Sequence, residues 1–104
     1  MEIIWTEFAL TTFEEEIDFI LLKWNINEVQ KFIILVNKNI DLLEKNINQD
    51  KPIANKENVF LKVVSKQTSL IYRIEINSNK IYLLRFWNNK RNPKNLKRFL
   101  KRLE

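Results

Sequence analysis

The stretch LIYRIEINSNKIYLLRFWNNKRNP, residues 70–93, decides the fold of this chain. Two runs rich in Ile, Leu and aromatic residues flank a polar segment at residues 77–79, and a group of basic residues follows the second run. β-Branched and aromatic side chains suit the half-buried surface of a sheet, so the two runs predict the strands of a β-hairpin. The rest of the fold should be built around this hairpin.

The length of the turn decides which side chains share a face of the hairpin. A two-residue loop would place the charge of Arg85 on the more apolar face that contains Tyr72, so we predict a three-residue loop instead. Asn79 is expected in the left-handed conformation, because Asn tolerates positive φ and the chain has no glycine. One face then carries Leu70, Tyr72, Ile74, Ile76, Tyr82, Leu84 and Phe86. The other carries Ile71, Arg73, Glu75, Ile81, Leu83, Arg85 and Trp87.

Composition limits the class of protein and its chemistry. The chain has 104 residues, of which 45% are hydrophobic, so we expect one domain spanning residues 1–104. No apolar run approaches the roughly 18–20 residues of a membrane span, and no secretion signal is evident, so we expect a cytoplasmic protein without membrane contact. The chain has no Cys and no His, which removes disulfides, the usual zinc sites and imidazole catalysis. We expect neither a metal nor a cofactor.

Charge is segregated along the chain. Residues 1–57 carry 6 Lys and no Arg against 11 Asp and Glu, a net charge of −5. Residues 58–104 carry 12 Lys and Arg against two acidic residues, a net charge of +10. Codon bias in an AT-rich genome would explain abundant Lys and Asn, but it would not explain this segregation. The split predicts a basic surface for a polyanion or an acidic partner.

The first half of the chain predicts a short strand followed by a helix. The opening residues alternate weakly, and Thr6 offers a side-chain oxygen that can cap the helix. Apolar residues recur every three or four positions on one helical face: Ala9, Phe13, Ile17, Ile20, Leu21 and Trp24. Glu14, Glu15, Glu16 and Asp18 lie largely off that face. They predict a solvated acidic surface. The alternative is that two of these carboxylates form a catalytic pair.

A second amphipathic helix follows at once. Asn27, with Gln30 three residues later, has the spacing of a capping box. The apolar face of this helix comprises Val29, Phe32, Ile33, Val36, Ile40, Leu43 and Ile47. Two long helices joined so tightly must form an antiparallel hairpin, which can cover one face of a sheet.

The second half supplies the remaining strands and a last helix. Residues 46–58 are polar, contain Pro52 and predict a connecting loop. A strand at residues 59–64 and a turn at 65–69 lead into the hairpin, and Asn92 with Pro93 can start a helix. The predicted class is therefore α+β, with a small antiparallel sheet packed on an N-terminal α-helical hairpin, in the order βααβββα.

The order and spacing of these segments resemble a known family. A first strand ending in Ile-Trp-Thr, Ala9 early in the first helix, the helical hairpin, and then IYRI, IYLLRFW and NNKRNPKNL resemble the RelE/ParE toxin superfamily of type II toxin–antitoxin modules. The resemblance covers nearly the whole chain and is closest to the ParE-like, plasmid-stabilisation branch. It implies a cognate antitoxin that wraps and neutralises the toxin in a hetero-oligomer. RelE-like members cut mRNA on the ribosome without metal, whereas ParE-like members poison DNA gyrase and cleave no nucleic acid themselves.

The two branches differ at positions that can be compared. RelE-like ribonucleases typically carry a basic residue three positions before the strand tyrosine that Tyr72 resembles, and Ser69 stands there. Many relatives have a histidine after the last strand, where this chain has Asn88. They also use a basic residue beyond that strand, which Lys90 or Arg91 would match. The departures favour the ParE-like branch.

A ribonuclease would need two kinds of group. Attack by a 2′-hydroxyl requires removal of its proton and stabilisation of the charge that develops on phosphorus-bound oxygens. Proton removal would need an unusual lysine or Glu75. If the chain is a ribonuclease, the groups that stabilise charge are Lys62, Lys66, Arg73, Arg85 and Arg91.

We therefore predict a ParE-like toxin that acts by binding, with DNA gyrase as its target and no catalysis of its own. The alternatives are a RelE-like mRNA endoribonuclease and a non-toxic basic relative that binds nucleic acid. Arg grips phosphates or carboxylates in a forked geometry, and an exposed Trp87 would add stacking area, although Trp87 in the core is an equal alternative. The expected target-binding residues are Arg73, Arg85, Trp87, Asn88, Lys90 and Arg91.

Overall fold

The computed structural model describes residues 1–45, 50–53, 56–90 and 93–102, without the side chains of residues 93–96 and 100. The elements in chain order are β1 (Glu2–Trp5), α1 (Glu7–Lys23), α2 (Ile26–Glu44), β2 (Lys51–Pro52), β3 (Val59–Val63), β4 (Thr68–Glu75), β5 (Lys80–Asn88) and α3 (Pro93–Arg102). The predicted α+β class is confirmed. The described order contains one strand more than predicted, because β2 lies in the segment predicted as a loop.

The strands form one sheet with the order β1-β5-β4-β3-β2. Strands β2 to β5 pair antiparallel, as predicted, and β1 adds a parallel pair with β5. A parallel pair needs a long connection between its strands, and the intervening helices and strands supply it. Strand β5 therefore lies between the first strand of the chain and the hairpin partner β4.

The β4–β5 turn is one residue longer than predicted. Glu75 pairs with Lys80, so the loop comprises residues 76–79. Asn79 has a φ of 56°, which confirms its predicted left-handed conformation. Its backbone N–H donates to the carbonyl oxygen of Ile76 at 3.2 Å and closes the loop.

A β-bulge at Leu84 compensates for the longer turn. Ile71 pairs with Arg85, whereas the next residue of β4, Tyr72, pairs with Leu83, so Leu84 is the extra residue. The predicted pairing is therefore wrong by one residue between the bulge and the turn, and it is confirmed beyond the bulge. The buried hairpin residues that face the helices are Leu70, Tyr72, Ile81, Leu83 and Phe86. Tyr82 and Leu84, predicted for that face, lie on the opposite one.

The two N-terminal helices form the predicted hairpin. The Thr6 side chain accepts a hydrogen bond from the backbone N–H of Ala9 at 3.1 Å, which confirms the predicted cap of α1. The cap of α2 is Asn25, whose side chain accepts from Glu28 N–H at 3.0 Å, so the prediction of Asn27 was wrong by two residues. The amino group of Met1 donates to the carbonyl oxygen of Glu44 at 3.1 Å, so α2 ends beside the start of β1.

Predictions for the ends of α2 and α3 fall partly outside the described residues. Ile47, predicted on the apolar face of the second helix, and Asn92, predicted as a cap, are not among them. Within α1, Leu21 and Trp24 were predicted on the buried face, but their exposed fractions are 49% and 52%. The apolar face of α1 is therefore narrower at its C-terminal end than the spacing indicated.

The sheet carries apolar clusters on both faces. On the helix-facing side, the ring of Phe13 lies 5.3 Å from Phe86 and 5.8 Å from Phe32, measured between ring centroids. On the other side, Phe99 brings α3 onto a cluster that includes Trp87 and Leu84. Such aromatic pairs add about 0.5–1.5 kcal/mol each beyond the area they bury. None of the helices in the described part of the chain combines the length and apolar character that a membrane crossing requires.

Two threonines of the β1–α1 region complete the edge of β5 where β1 ends. β1 pairs with β5 only as far as Leu83. Thr6 Oγ1 donates to the carbonyl oxygen of Leu83 at 2.7 Å, and Thr12 Oγ1 accepts from the N–H of Phe86 at 2.9 Å. An unpaired buried backbone group costs about 1–3 kcal/mol, so these hydroxyls stabilise the edge in place of a longer strand.

Candidate functional site

Two turns meet at the end of the sheet and present basic side chains. Residues 65–67 lie between β3 and β4. Asn88 is the last residue of β5, and residues 89–90 follow it. Because Thr68 pairs with Asn88, the two segments lie side by side. We call these six residues the basic turn pair. Its two lysines, Lys66 and Lys90, are both exposed.

Asn89 ties the two turns together. Its backbone N–H donates to the carbonyl oxygen of Gln67 at 2.7 Å. Its side-chain Nδ2 donates to the carbonyl oxygens of Ser65 at 3.4 Å and Lys66 at 3.2 Å. The backbone positions of both lysines are therefore set by a hydrogen-bonded framework and not by chance proximity.

Two further hydroxyl groups support this framework. Ser65 Oγ accepts the backbone N–H groups of Gln67 at 3.2 Å and Thr68 at 3.1 Å. Ser69 is 1% exposed, and its Oγ donates to Asn89 Oδ1 at 2.7 Å. Ser69 stands where RelE-like ribonucleases carry a basic residue, and in this structure it positions Asn89.

Acidic groups of α1 lie next to one side of the basic turn pair. Asn88 and Lys90 line a cavity of about 240 Å³ together with Glu15, Glu16 and Phe19. Glu16 is only 6% exposed and accepts a hydrogen bond from Thr68 Oγ1 at 2.9 Å. The prediction that the acidic cluster is solvated was therefore wrong for Glu16. An anionic ligand is favoured to approach Lys90 from the side away from these carboxylates.

Arg85 lies among aromatic rings on the face opposite to the helical hairpin. Its guanidinium carbon is 4.8 Å from the ring centroid of Trp87, 4.9 Å from that of Phe99 and 5.0 Å from that of Phe8. At these distances the cation–π attraction orients the guanidinium. Arg85 itself is half-buried.

Trp87 is a core residue. It is 4% exposed and belongs to the apolar cluster that α3 covers through Phe99. The prediction of an exposed stacking ring at Trp87 is corrected, and the alternative that placed it in the core is the observed one. The physical reason is that α3 packs on the sheet face that carries Trp87. Burial of this large aromatic side chain stabilises that packing.

Arg73 lies away from the basic turn pair. It pairs with Val59 and Tyr82, whereas the turn pair adjoins Thr68, which lies five residues back along β4. At about 3.4 Å per strand residue the separation is about 17 Å. Arg73 instead lines a shallow cavity of about 400 Å³ near the β4–β5 turn, beside Glu57 and Glu75.

Lys62 lies in a buried polar cluster under the helices. Its Nζ is 3.4 Å from both carboxylate oxygens of Asp50, and the hydroxyl of Tyr72 donates to Asp50 Oδ2 at 2.6 Å. Burial, and then the hydrogen bond to Asp50 and its negative charge, raise the pKa of Tyr72 well above its ordinary range. We call Asp50, Lys62 and Tyr72 the buried triad. Tyr72 therefore remains a protonated donor at neutral pH.

The structure brings together only part of the predicted site. It places Lys66, Asn88 and Lys90 in one framework, Arg85 on the opposite sheet face, and Arg73 and Lys62 elsewhere. Arg91 lies outside the described residues. Asn89 and Asp50 were missed, because neither a surface Asn nor an Asp in a predicted loop carries a periodic signal. No group of three or more acidic side chains that could hold a metal ion is found among the residues described.

Comparison with known proteins identifies the fold. No family model matches the sequence, and no curated protein matches it. The structure is similar to the chromosomal ParDE toxin–antitoxin system from P. aeruginosa, with a TM-score of 0.69, 16% identity, and coverage of 85% of this chain and 95% of that one. It is also similar to a copper-bound mutant toxin from Helicobacter pylori, with a TM-score of 0.63, 15% identity, and coverage of 86% and 94%.

A third similar structure is the RelBE2 toxin–antitoxin complex from Mycobacterium tuberculosis, with a TM-score of 0.54, 17% identity, and coverage of 85% of this chain and 96% of that one. In all three cases the likeness extends over nearly the full length of the other chain. At such low identity it shows the fold, and it confirms the RelE/ParE fold that the resemblance implied.

Proposed function

We propose that this chain, which has the RelE/ParE toxin fold, is the toxin of a type II toxin–antitoxin module. Two of the similar structures are ParDE and RelBE2 toxin–antitoxin systems. The single observation in the molecule that carries the proposal is the basic turn pair, whose exposed Lys66 and Lys90 are fixed by Asn89 at the end of the sheet. The partner that neutralises the toxin is a cognate antitoxin, and the two form a hetero-oligomer.

We propose further that the toxin acts by binding, with DNA gyrase as its target in the cytoplasm. Tyr72, which matches the strand tyrosine of RelE-like ribonucleases, is fully buried and donates a hydrogen bond to Asp50. Its pKa is raised, so it is not a base at neutral pH. Lys62 is 8% exposed and paired with Asp50, so it does not reach a bound phosphate. These two positions support a binding role over a catalytic one.

The exposed side chains of Lys66 and Lys90 provide the cations for such a surface. Exposed lysines contribute mainly by steering an acidic target and fixing its orientation, because solvent screens each individual contact. The fixed turn backbone lowers the entropy lost when the target binds. The proposal therefore predicts fast, salt-sensitive association.

A ribonuclease is the second candidate, and one observation favours it. Glu15 lines the same cavity as Lys90, so a carboxylate and an ammonium group border one small space. A carboxylate can take the proton of a 2′-hydroxyl while a cation stabilises the charge that develops on the phosphate. If the chain is a ribonuclease, Glu15→Gln would abolish its toxicity. If the toxin acts by binding, the same variant would remain toxic.

The test is controlled expression in a bacterial host, with DNA integrity and mRNA integrity followed in the same cells. Growth arrest with double-strand breaks and intact transcripts is the expected result. Cuts in ribosome-bound mRNA would replace gyrase by RNA as the target. Normal growth, with intact DNA and intact mRNA, would contradict the proposal that this chain is a toxin.

A further inference from the structure

Helix α3 holds the whole net positive charge of the chain. It carries five of the 18 Lys and Arg residues and none of the 13 Asp and Glu residues. The rest of the chain therefore has 13 basic and 13 acidic residues and no net charge, although the complete chain has a formal net charge of +5. Charge concentrated on one element indicates a surface for a polyanion. The proposed function uses the basic turn pair and gives α3 no role.

Four of these cations form one stripe along the helix. The basic side chains of α3 that the structure describes are all exposed: Lys97, Arg98, Lys101 and Arg102. At about 100° per residue they lie within about 140° of the helix circumference. Within the residues that the structure describes, none of the four forms an ion pair or a hydrogen bond through its side chain. We call these four residues the α3 stripe, and its charges are available to a ligand.

Phe99 fixes the orientation of the α3 stripe. Its side chain lies on the other side of the helix, is 8% exposed and belongs to the apolar cluster on the sheet. Its ring centroid is 5.6 Å from that of Phe8 and 4.9 Å from the guanidinium carbon of Arg85. Because these contacts hold Phe99 against the sheet, the α3 stripe faces solvent before any ligand binds.

The α3 stripe destabilises the helix that carries it. Lys97 and Lys101 are four residues apart, as are Arg98 and Arg102, so each pair brings like charges together on the helix surface. Like-charge pairs at this spacing are unfavourable in an exposed helix. The sequence of α3 contains no acidic residue that would relieve them. A bound polyanion would replace this repulsion by attraction.

The density of charge on α3 is close to that of a nucleic-acid duplex. Residues 97–102 span about 7.5 Å along the helix axis, so four cations give about one charge per 1.9 Å. Double-stranded DNA carries about one negative charge per 1.7 Å of its axis. A duplex therefore offers a phosphate for each cation of the α3 stripe.

Other polyanionic surfaces fit less well. A helix that lies in a membrane surface needs an exposed apolar side, whereas Phe99, the apolar side chain of α3 that the structure describes, is buried. Single-stranded nucleic acid is held largely by stacking on aromatic rings, and the α3 stripe contains none. The phosphates of a duplex are the class of ligand that these observations favour.

We propose that α3 is a second binding site of this protein, which takes the phosphate backbone of duplex nucleic acid without reading its sequence. The two arginines hold phosphates in a forked geometry, and the two lysines act as point charges. Phosphate contacts carry no sequence information. This inference goes beyond the proposed function, because it concerns a different element from the basic turn pair and does not depend on the target of the toxin.

The probe is a short DNA duplex of mixed sequence, labelled with a fluorophore. Fluorescence anisotropy measures its affinity for the intact, purified chain at several salt concentrations. Contacts to four phosphates predict that the logarithm of the association constant falls with the logarithm of the salt concentration with a slope of about −3.6. A DNA duplex of unrelated sequence should bind equally well. An RNA duplex is compared with them, and the duplex that binds more tightly identifies the source of the phosphates.

Paired substitutions locate the site. Lys97→Gln with Arg98→Gln removes two of the four contacts and should make the slope shallower by about 2. Both residues precede the basic residues of the last turn, which favour the end of the helix and stay unchanged. The matched control is Lys38→Gln with Lys45→Gln, which removes the same charge from exposed positions on and after α2. This control should leave the slope unchanged.

Circular dichroism checks that each variant is folded. If the double variant of α3 does not fold, its two single variants take its place, and each should make the slope shallower by about 1. Four results would overturn the proposal: no duplex binds at low salt, one DNA sequence binds much more tightly than the other, single-stranded DNA or phosphatidylglycerol vesicles bind as tightly as the duplex, or the two double variants change the slope equally. Growth arrest is measured separately, so failure of this proposal is distinguishable from failure of the toxin assignment.

Discussion

Lys62 and Lys66 lie four residues apart in the chain, yet they belong to different parts of the molecule. Lys62 is on β3 and points under the helices, where it completes the buried triad with Asp50 and Tyr72. Lys66 is on the following turn and projects from the basic turn pair into solvent. Both are basic residues that the family resemblance marks for charge stabilisation. The difference teaches that a lysine on the strand is held in the core by a buried carboxylate, whereas a lysine on the turn that follows keeps its charge available to a ligand.

The largest expected effect on the difference between the two lysines comes from removal of Asp50, the buried partner of Lys62. Asp50→Ala leaves the ammonium of Lys62 buried without its carboxylate, which should lower the free energy of unfolding by about 3–5 kcal/mol. Urea unfolding monitored by circular dichroism measures this. The matched control is Glu28→Ala, which breaks the exposed pair with Lys31 and should change stability by less than about 0.5 kcal/mol. Equal losses in the two variants would show that the buried triad is not structural.

Reversing the exposed lysines should leave stability intact and remove target binding. The double variant Lys66→Glu, Lys90→Glu is expected to bind its target about a hundredfold more weakly, because repulsion replaces attraction at two sites. Its free energy of unfolding should stay within about 0.5 kcal/mol of the original. Growth arrest after induction measures the first effect and urea unfolding the second. Lys38→Glu with Lys45→Glu, on and after α2, is the charge-matched control that should remain toxic.

The hydroxyl of Tyr72 gives the buried triad a pH dependence. Because folding raises the pKa of Tyr72, the folded state holds the phenol proton more tightly than the unfolded state. This contribution is fully present below the ordinary pKa of 10.0 and is lost as the pH rises above it, at about 1.4 kcal/mol per pH unit. Tyr72→Phe should cost about 1.5–3 kcal/mol at neutral pH and should lack that slope above pH 10.

Urea unfolding of the two proteins between neutral pH and strongly alkaline pH makes this comparison. Other groups titrate in the same range, so the difference between the original chain and Tyr72→Phe is the quantity to follow. Parallel curves for the two proteins would contradict the role assigned to the hydroxyl.

The smallest effect is expected at Asn89, which links the basic turn pair. Asn89→Ala removes three side-chain contacts and leaves the buried hydroxyl of Ser69 without its acceptor, a loss of about 1 kcal/mol. Amide hydrogen exchange should rise at Gln67 and at Lys90, whereas exchange at the distant β4–β5 turn should not change. Asn77→Ala, at that turn, is the matched substitution. Unchanged exchange at Gln67 would show that Asn89 does not fix the turns.

Most of the architecture follows from local patterns that act over a few residues. The Thr6 cap, the left-handed Asn79 and the two hairpin strands were predicted correctly because each depends on neighbours in sequence. The cap of α2 was predicted at Asn27 and lies at Asn25, because either residue satisfies the local preference for Asn.

The candidate site was predicted less well, because burial depends on what covers each face. Arg85 was assigned to the correct face, yet nothing in the sequence indicated that α3 would bury Trp87 beneath Phe99. The bulge at Leu84 is a similar case, since it results from the joint constraints of the loop and the paired strands. Asp50 was missed because its importance comes from contacts with two residues far along the chain.

The amino-acid sequence by itself determined the α+β class, the strand–helix–helix start, the central hairpin and the segregation of basic residues into the second half. Apolar periodicity and helix capping depend on residues that are close in sequence, so they can be predicted from the sequence alone. Only the tertiary structure decided which cations are available to a ligand. It buried Lys62 against Asp50, surrounded Arg85 with aromatic rings and joined Lys66 to Lys90 through Asn89, because desolvation and hydrogen bonding depend on residues that meet in space and not in sequence.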